Sequence, residues 1–211
     1  NPRVTLNDAA AIRRFGDTFY GDLARAQLAR VNAAEEQQRV ALLQKQRADA
    51  AVAFEPGRVC AVMTADCLPV VFADRAGTRV GVAHAGWRGL AGGIVEHTLA
   101  ALCDATGAAP ADVHVWLGAC IEPEAFEVGA DVLVGFGVDP VRPGPHFRPS
   151  KPEKWLADLP GLARDRLAVA GVRHVAGGTW CTVADASRFF SFRRDRVTGR
   201  MFAAVWLDRR G

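Results

Sequence analysis

The chain predicts a mixed fold of the α+β (α/β mixed) class. From Gly57 onward, short apolar strand-like runs alternate with helical stretches, and clusters of glycine, proline and charged residues punctuate them. No apolar run approaches the roughly 20 residues that a membrane span needs. Residues 1–50 are different: charged, alanine-rich and helix-prone, with Leu28, Val31, Val40 and Leu43 as a partial apolar stripe and no strand signal. Residues 58–64 and 68–73 are rich in Val, Ala, Met and Phe and read as strands broken at Ala65-Asp66-Cys67. Arg75-Ala76-Gly77 supplies a turn, and 78–83 reads as a third strand ending at His84. A helix is expected over about 90–104, ending before Gly107, then a strand over Val113–Leu117 and a helix or helical turn around 124–136. The segment 140–152 holds Pro140, Pro143, Pro145, Pro149 and Pro152 and is expected to be a loop, since each proline removes a donor and fixes φ. Residues 155–170 read as a helix with Leu156, Leu159, Leu162 and Leu167 facing inward. Strands at 172–175 and 201–207 follow, the second closing the sheet.

Composition narrows the function classes. A chain of 211 residues, half of them hydrophobic, is long enough to bury a substantial core. The net charge of +3 is small and the arginines are scattered, which argues against a nucleic-acid partner. With no span and no secretion pattern, no membrane association is expected and the localisation reads as cytoplasmic. Five cysteines, widely spaced and without a CxxC pair, argue against a disulfide framework or a zinc ribbon. Cys60, Cys103 and Cys120 lie in apolar surroundings and read as buried thiols.

Cys67 and His84 stand apart. Each sits at the end of an apolar strand-like run beside a tight turn, and adjacent strand ends lie only about 5 Å apart. A thiolate and an imidazole so placed can share one cation. Gly86, Gly89, Gly92 and Gly93 then let backbone approach a ligand where a helix begins. Arg88, inside that glycine-rich turn, is the leading candidate for an anion contact, with Arg193 and Arg194 as second choices, since a guanidinium can grip phosphate in a bidentate fork. Asp66, beside Cys67, is a candidate for orienting a ligand or moving a proton, with a turn cap as the plainer reading.

The stretches Val59-Cys-Ala-Val-Met-Thr-Ala-Asp-Cys-Leu-Pro-Val70, Ala83-His-Ala-Gly-Trp-Arg-Gly89, Phe126-Glu-Val-Gly129, Phe189-Phe-Ser-Phe-Arg-Arg-Asp195 and Thr198-Gly-Arg200 resemble the YfiH-type family. Its members were first called laccase-domain or polyphenol oxidase proteins and later purine nucleoside phosphorylases. The resemblance runs from about Arg47 to Leu207. It divides the chain into an atypical helix-prone segment 1–46, whose beginning is expected to be missing or misread, and a catalytic domain 47–211. It implies mixed β-sheets flanked by helices, a YfiH-like (cysteine-hydrolase-like) fold, and a monomer. It also implies a His, Cys, His site for zinc (Zn), with copper (Cu) for the oxidase label. Cys67 and His84 are carried over as metal-ligating and catalytic residues, with Asp66 as a further catalytic candidate. The first ligand belongs in an upstream QVHG-like motif. No histidine precedes His84, and the counted-back position falls near Arg30-Val31-Asn32, where Asn32 is a weak oxygen donor. His97, His114, His146 and His174 are possible substitutes, each with a structural role as its plainer reading.

The activity so implied is phosphorolysis of a purine nucleoside by inorganic phosphate, with Arg88, Arg193 and Arg194 as phosphate contacts and Trp87 or Phe192 as a stacking partner for the base. Adenosine deamination is a further activity attributed to the family. The alternatives are a copper-dependent polyphenol oxidase, which normally needs many more histidines than five, and a cysteine hydrolase with Cys67 as nucleophile and His84 as base.

Overall fold

The computed structural model describes residues 49–105 and 107–208. The readings of segment 1–46, including its apolar stripe and Asn32, lie outside the described residues.

Among the described residues, ten strands and five helices form three layers. The central sheet has the order β1-β4-β3-β5-β9, built from β1 (Ala50–Ala53), β3 (Leu68–Asp74), β4 (Val80–Ala85), β5 (Val113–Leu117) and β9 (His174–Gly177). All its pairings are antiparallel except β5 with β9. Side chains alternate between the two faces of a strand, and this sheet uses both. One face turns Leu68, Val70, Phe72, Ala83, Ala85, Val115 and Leu117 toward α2 (Ile94–Asp104) and α4 (Leu159–Val169), whose Ile94, Leu99, Leu102, Leu162 and Leu167 complete the larger core. The other face offers Val80 and Val82 to an antiparallel ribbon of β2 (Val59–Thr64) and β10 (Met201–Trp206), which buries Cys60 and Val62 against them. A small sheet, β6-β8-β7, made of β6 (Glu127–Val128), β8 (Trp155–Ala157) and β7 (Phe147–Pro149), flanks this assembly.

The β3–β4 hairpin carries the candidate centre, and Asp74 closes its turn by accepting from the Thr78 amide, the Thr78 hydroxyl and the Arg79 amide at 2.7, 2.6 and 2.8 Å. Partial burial pulls the Asp74 carboxyl upward, but these bonds prevail and hold it below the usual carboxylate range.

Several elements differ from the sequence reading, each for a local reason. The helix expected over 90–104 is two, α1 (Trp87–Ala91) and α2, because Gly93 takes a left-handed φ of 87° between them. The helix expected over 155–170 begins at Leu159. Trp155–Ala157 pairs instead with β6 and β7, and the Asp158 side chain caps the helix by accepting from the Gly161 amide at 2.8 Å. The proline-rich loop contains β7, which tolerates Pro149 because it is an edge strand. Around 124–136 the chain forms a 3-10 turn (Pro123–Ala125), β6 and the short α3 (Ala130–Gly135). β10 does not close the central sheet; it pairs with β2. β1, within a region read as strandless at its start, and the helical turn α5 (Phe192–Asp195) went unanticipated. Among the described residues no helix is long and apolar enough to cross a membrane.

Candidate functional site

The break between β2 and β3 carries the chain from the outer ribbon into the central sheet. Asp66 makes that turn with a φ of 85°, a left-handed conformation rare for a residue with a Cβ. Its surroundings hold it there. The carboxylate accepts from the Thr182 hydroxyl at 2.6 Å and the Arg193 amide at 2.7 Å, and its carbonyl accepts from the Ile121 amide at 2.8 Å. The residue is 8% exposed, with both carboxylate oxygens engaged. That is the geometry of an anchor joining three distant segments, and it matches the turn-cap reading.

Cys67 follows directly, and His84 lies across the hairpin, where its neighbour Ala85 pairs with Leu68 and His84 itself pairs with Pro69. A Cβ built on Gly86 would lie 3.0 Å from Cys67 Sγ and 3.6 Å from His84 Nε2, so the two donor atoms converge on one spot that only glycine leaves open. His84 Nδ1 faces the other way, 3.2 Å from Asp49 Oδ1. Burial lowers the His84 pKa, but hydrogen bonds to Asp49 and Cys67, with the charges those groups carry, outweigh it and raise the value to about 10. Asp49 was absent from the sequence reading. It ends a charged stretch with no motif around it, and only the β1–β4 pairing brings it to His84.

A thiolate and an imidazole make a soft-to-borderline donor pair that suits zinc or reduced copper. The chemistry of the two donors facing the cradle at Gly86 is compatible with such an ion. Among the described residues no group of three His, Cys, Asp or Glu side chains is gathered to hold a metal, so no third donor joins the pair there. The remaining histidines have other surroundings. His114 and His174 stack on each other across β5 and β9 with centroids 4.5 Å apart. His146 Nε2 lies 2.7 Å from Asp165, with Asp158 on its other side. His97 sits in α2.

The arginines separate sharply. Arg88 is exposed, and its guanidinium lies 4.2 Å from the centroid of the Trp87 ring. That ring is partly buried against the larger core and closely approaches Gly135 of α3, which gives it a packing role. Arg194 is spent. Nε and Nη2 donate to the Asp195 carboxylate at 2.8 Å each, Nη1 donates to the carbonyls of Thr182 and Val183, and Nη2 also donates to that of Phe189. All five donors of the fork are thus committed in this arrangement. The Arg193 Nη1 donates to the carbonyls of Ala125 and Glu127 at 3.4 and 3.0 Å, tying α5 to the 125–127 segment. Its role is likewise fastening. Replacing Arg194 with alanine is therefore expected to lower the melting temperature, because the carbonyls and the Asp195 carboxylate lose their shared donor. Thermal melting checks this.

None of the five cysteines forms a disulfide. Cys60, Cys120 and Cys181 are buried, and burial pushes Cys60 up to about 12 and Cys120 higher still. Cys103 is half-buried, where the sequence reading expected full burial. Iodoacetamide is expected to label Cys67 first in the native protein, Cys103 more slowly, and the three buried thiols only after unfolding. Peptide mass mapping over a time course reads the order, and labelling of Cys120 ahead of Cys67 would contradict the placement.

An α+β scaffold with a thiol–imidazole pair at the mouth of a hairpin defines the class. The family model for multi-copper polyphenol oxidoreductase laccase matches residues 16–208, and the chain belongs to that family. Purine nucleoside phosphorylase YfiH of Escherichia coli (strain K12) is 48% identical over 161 residues, covering 76% of this chain and 64% of its own length. Purine nucleoside phosphorylase PA4543 of Pseudomonas aeruginosa is 48% identical over 163 residues, covering 77% and 66%. Among solved structures, Neisseria meningitidis protein NMB0706 superposes with a TM-score of 0.70 at 49% identity, covering 76% of this chain and 64% of that one. The chain spans just under two thirds of the length of the Escherichia coli relative.

Proposed function

We propose that this protein cleaves purine nucleosides with inorganic phosphate, releasing the free base and a pentose 1-phosphate, at the centre formed by Cys67 and His84. Relatives named purine nucleoside phosphorylase at 48% identity support the reading. The observation that carries it is the convergence of Cys67 Sγ and His84 Nε2 at Gly86, two residues before the exposed Arg88 in the chain. In the reaction a phosphate oxygen bonds to the anomeric carbon, the bond from that carbon to the purine nitrogen breaks, and the electron pair leaves with the base, which takes up a proton. Arg88 makes no side-chain hydrogen bond or ion pair among the described residues, and its guanidinium is the group proposed to hold the phosphate. Asp66 fixes the turn from which Cys67 projects and acts here as a positioning residue.

Cys67 and His84 would hold zinc or copper, which when bound supplies Lewis-acid polarisation and a water of lowered pKa. Adenosine deamination is the finer activity proposed for the same centre. Adenosine, inosine, guanosine and methylthioadenosine are the proposed substrates, and a monomer is the proposed state.

The test incubates purified protein with inosine and with adenosine, with and without phosphate. Base release that requires phosphate supports the proposal; release at the same rate without phosphate, or none at all, overturns it. A second reading gains from one contact. Asp49, His84 and Cys67 form a line of orienting carboxylate, base and thiol, the arrangement of a cysteine hydrolase. Phosphate-independent turnover abolished by Cys67 alkylation and indifferent to chelators would establish that alternative. The oxidase reading needs a gathered set of histidines, and His114, His146 and His174 have the separate partners described above; oxygen uptake with phenols tests it.

A further inference from the structure

We infer that Asp49 is a positioning residue that fixes the His84 ring with Nε2 aimed at Cys67 Sγ. The inference rests on the reading of Cys67 and His84 as the working centre. An imidazole can rotate about its outer bond and can carry its proton on either nitrogen, so a ligating or proton-accepting histidine needs a partner that settles both. Asp49 Oδ1, 3.2 Å from Nδ1, supplies one. By holding the Nδ1 proton it makes Nε2 the nitrogen that gives up its proton to a cation or base, on the side where Cys67 Sγ and the open position above Gly86 lie. Both side chains are partly shielded, with 27% of His84 and 39% of Asp49 exposed, so water competes only in part for the contact.

The backbone makes the role separable from structure. The Asp49 carbonyl accepts from the His84 amide at 2.6 Å, and the next residue, Ala50, pairs with Ala83 at the start of the β1–β4 ladder. Removing the carboxylate leaves that main-chain bond and the ladder in place. The substitution Asp49→Ala thus removes a side-chain acceptor and no strand.

Cobalt(II) is the probe, because a thiolate ligand gives it a charge-transfer absorption that reports Cys67 directly. Full-length wild type, Asp49→Ala, Asp49→Asn and Cys67→Ala are titrated with cobalt(II), and zinc affinity is measured by chelator competition. The wild type is expected to show the thiolate band and Cys67→Ala to lack it. Asp49→Ala is expected to bind zinc about 10–100-fold more weakly. Asp49→Asn, whose amide oxygen accepts the same proton, is expected to restore most of that loss. The metal-free melting temperatures of the two Asp49 variants should stay within about 4 °C of wild type, as the loss of a single exposed contact allows. Unchanged zinc affinity in Asp49→Ala overturns the inference alone. So does equal weakening in both Asp49 variants with a matching fall in melting temperature, which marks a merely structural residue. A wild type without a Cys67-dependent band overturns the metal reading of the centre, and the inference with it.

Discussion

Replacing Cys67 or His84 with alanine is expected to reduce phosphate-dependent base release at least about 100-fold in kcat/KM. The floor follows from what is known of supporting groups: changing a residue that merely orients a metal ligand typically costs 10–100-fold, so deleting a group in the proposed ligating position is expected to cost no less. Stability should change far less. Cys67 precedes β3 and His84 lies near the open end of β4, while the hairpin is held by its ladder and by the Asp74 turn. Melting curves of the two variants, run beside the kinetics, separate loss of chemistry from loss of fold. Activity within tenfold of wild type in either variant would remove that residue from the centre.

The second large effect concerns Asp66. Asp66→Ala is expected to destabilise the protein by about 3–5 kcal/mol. Two hydrogen bonds to a charged acceptor are lost at once, each worth about 1.5–3 kcal/mol, and the Thr182 hydroxyl and Arg193 amide are left without that partner. For a chain of this size each kcal/mol moves the melting temperature by about 2–4 °C, so a fall of about 6–20 °C is expected. Asp66→Asn keeps one carbonyl oxygen to accept and should lose roughly half as much. A residue acting only in proton transfer would show the reverse pattern, with activity abolished and melting unchanged, and that outcome would restore the catalytic reading.

The parts of this molecule legible in its sequence are those encoded by short-range pattern. The apolar runs at 58–64, 68–73 and 78–83 mark the strands that form over 59–64, 68–74 and 80–85, and Cys67 and His84 at their ends come together in the hairpin. What escaped was set by partners far along the chain. Trp155-Leu156-Ala157 has leucine spacing that continues smoothly into a helix, yet pairing with Phe147–Pro149 and Glu127–Val128 makes it a strand. Ala50–Ala53 has weak strand propensity and is recruited by the free edge of β4. Asp49 reaches the centre by that same recruitment, so no local motif betrays it. The arginines mislead for a related reason. Arg88 and Arg194 are both candidate anion contacts in the sequence, and only the carbonyls of Thr182, Val183 and Phe189 that gather around Arg194 show that its donors are engaged.

Both donors of the centre ride on a single hairpin, whereas the segments that brace it, around Ile121, Thr182 and Arg193, arrive from much later in the chain. Local pairings close in microseconds and distant ones wait on the entropy of large loops. The nascent polypeptide is therefore expected to present its sulfur and imidazole together while the ribosome is still adding the residues that will lock them, which places the meeting of the pair ahead of final consolidation on the route to the native state.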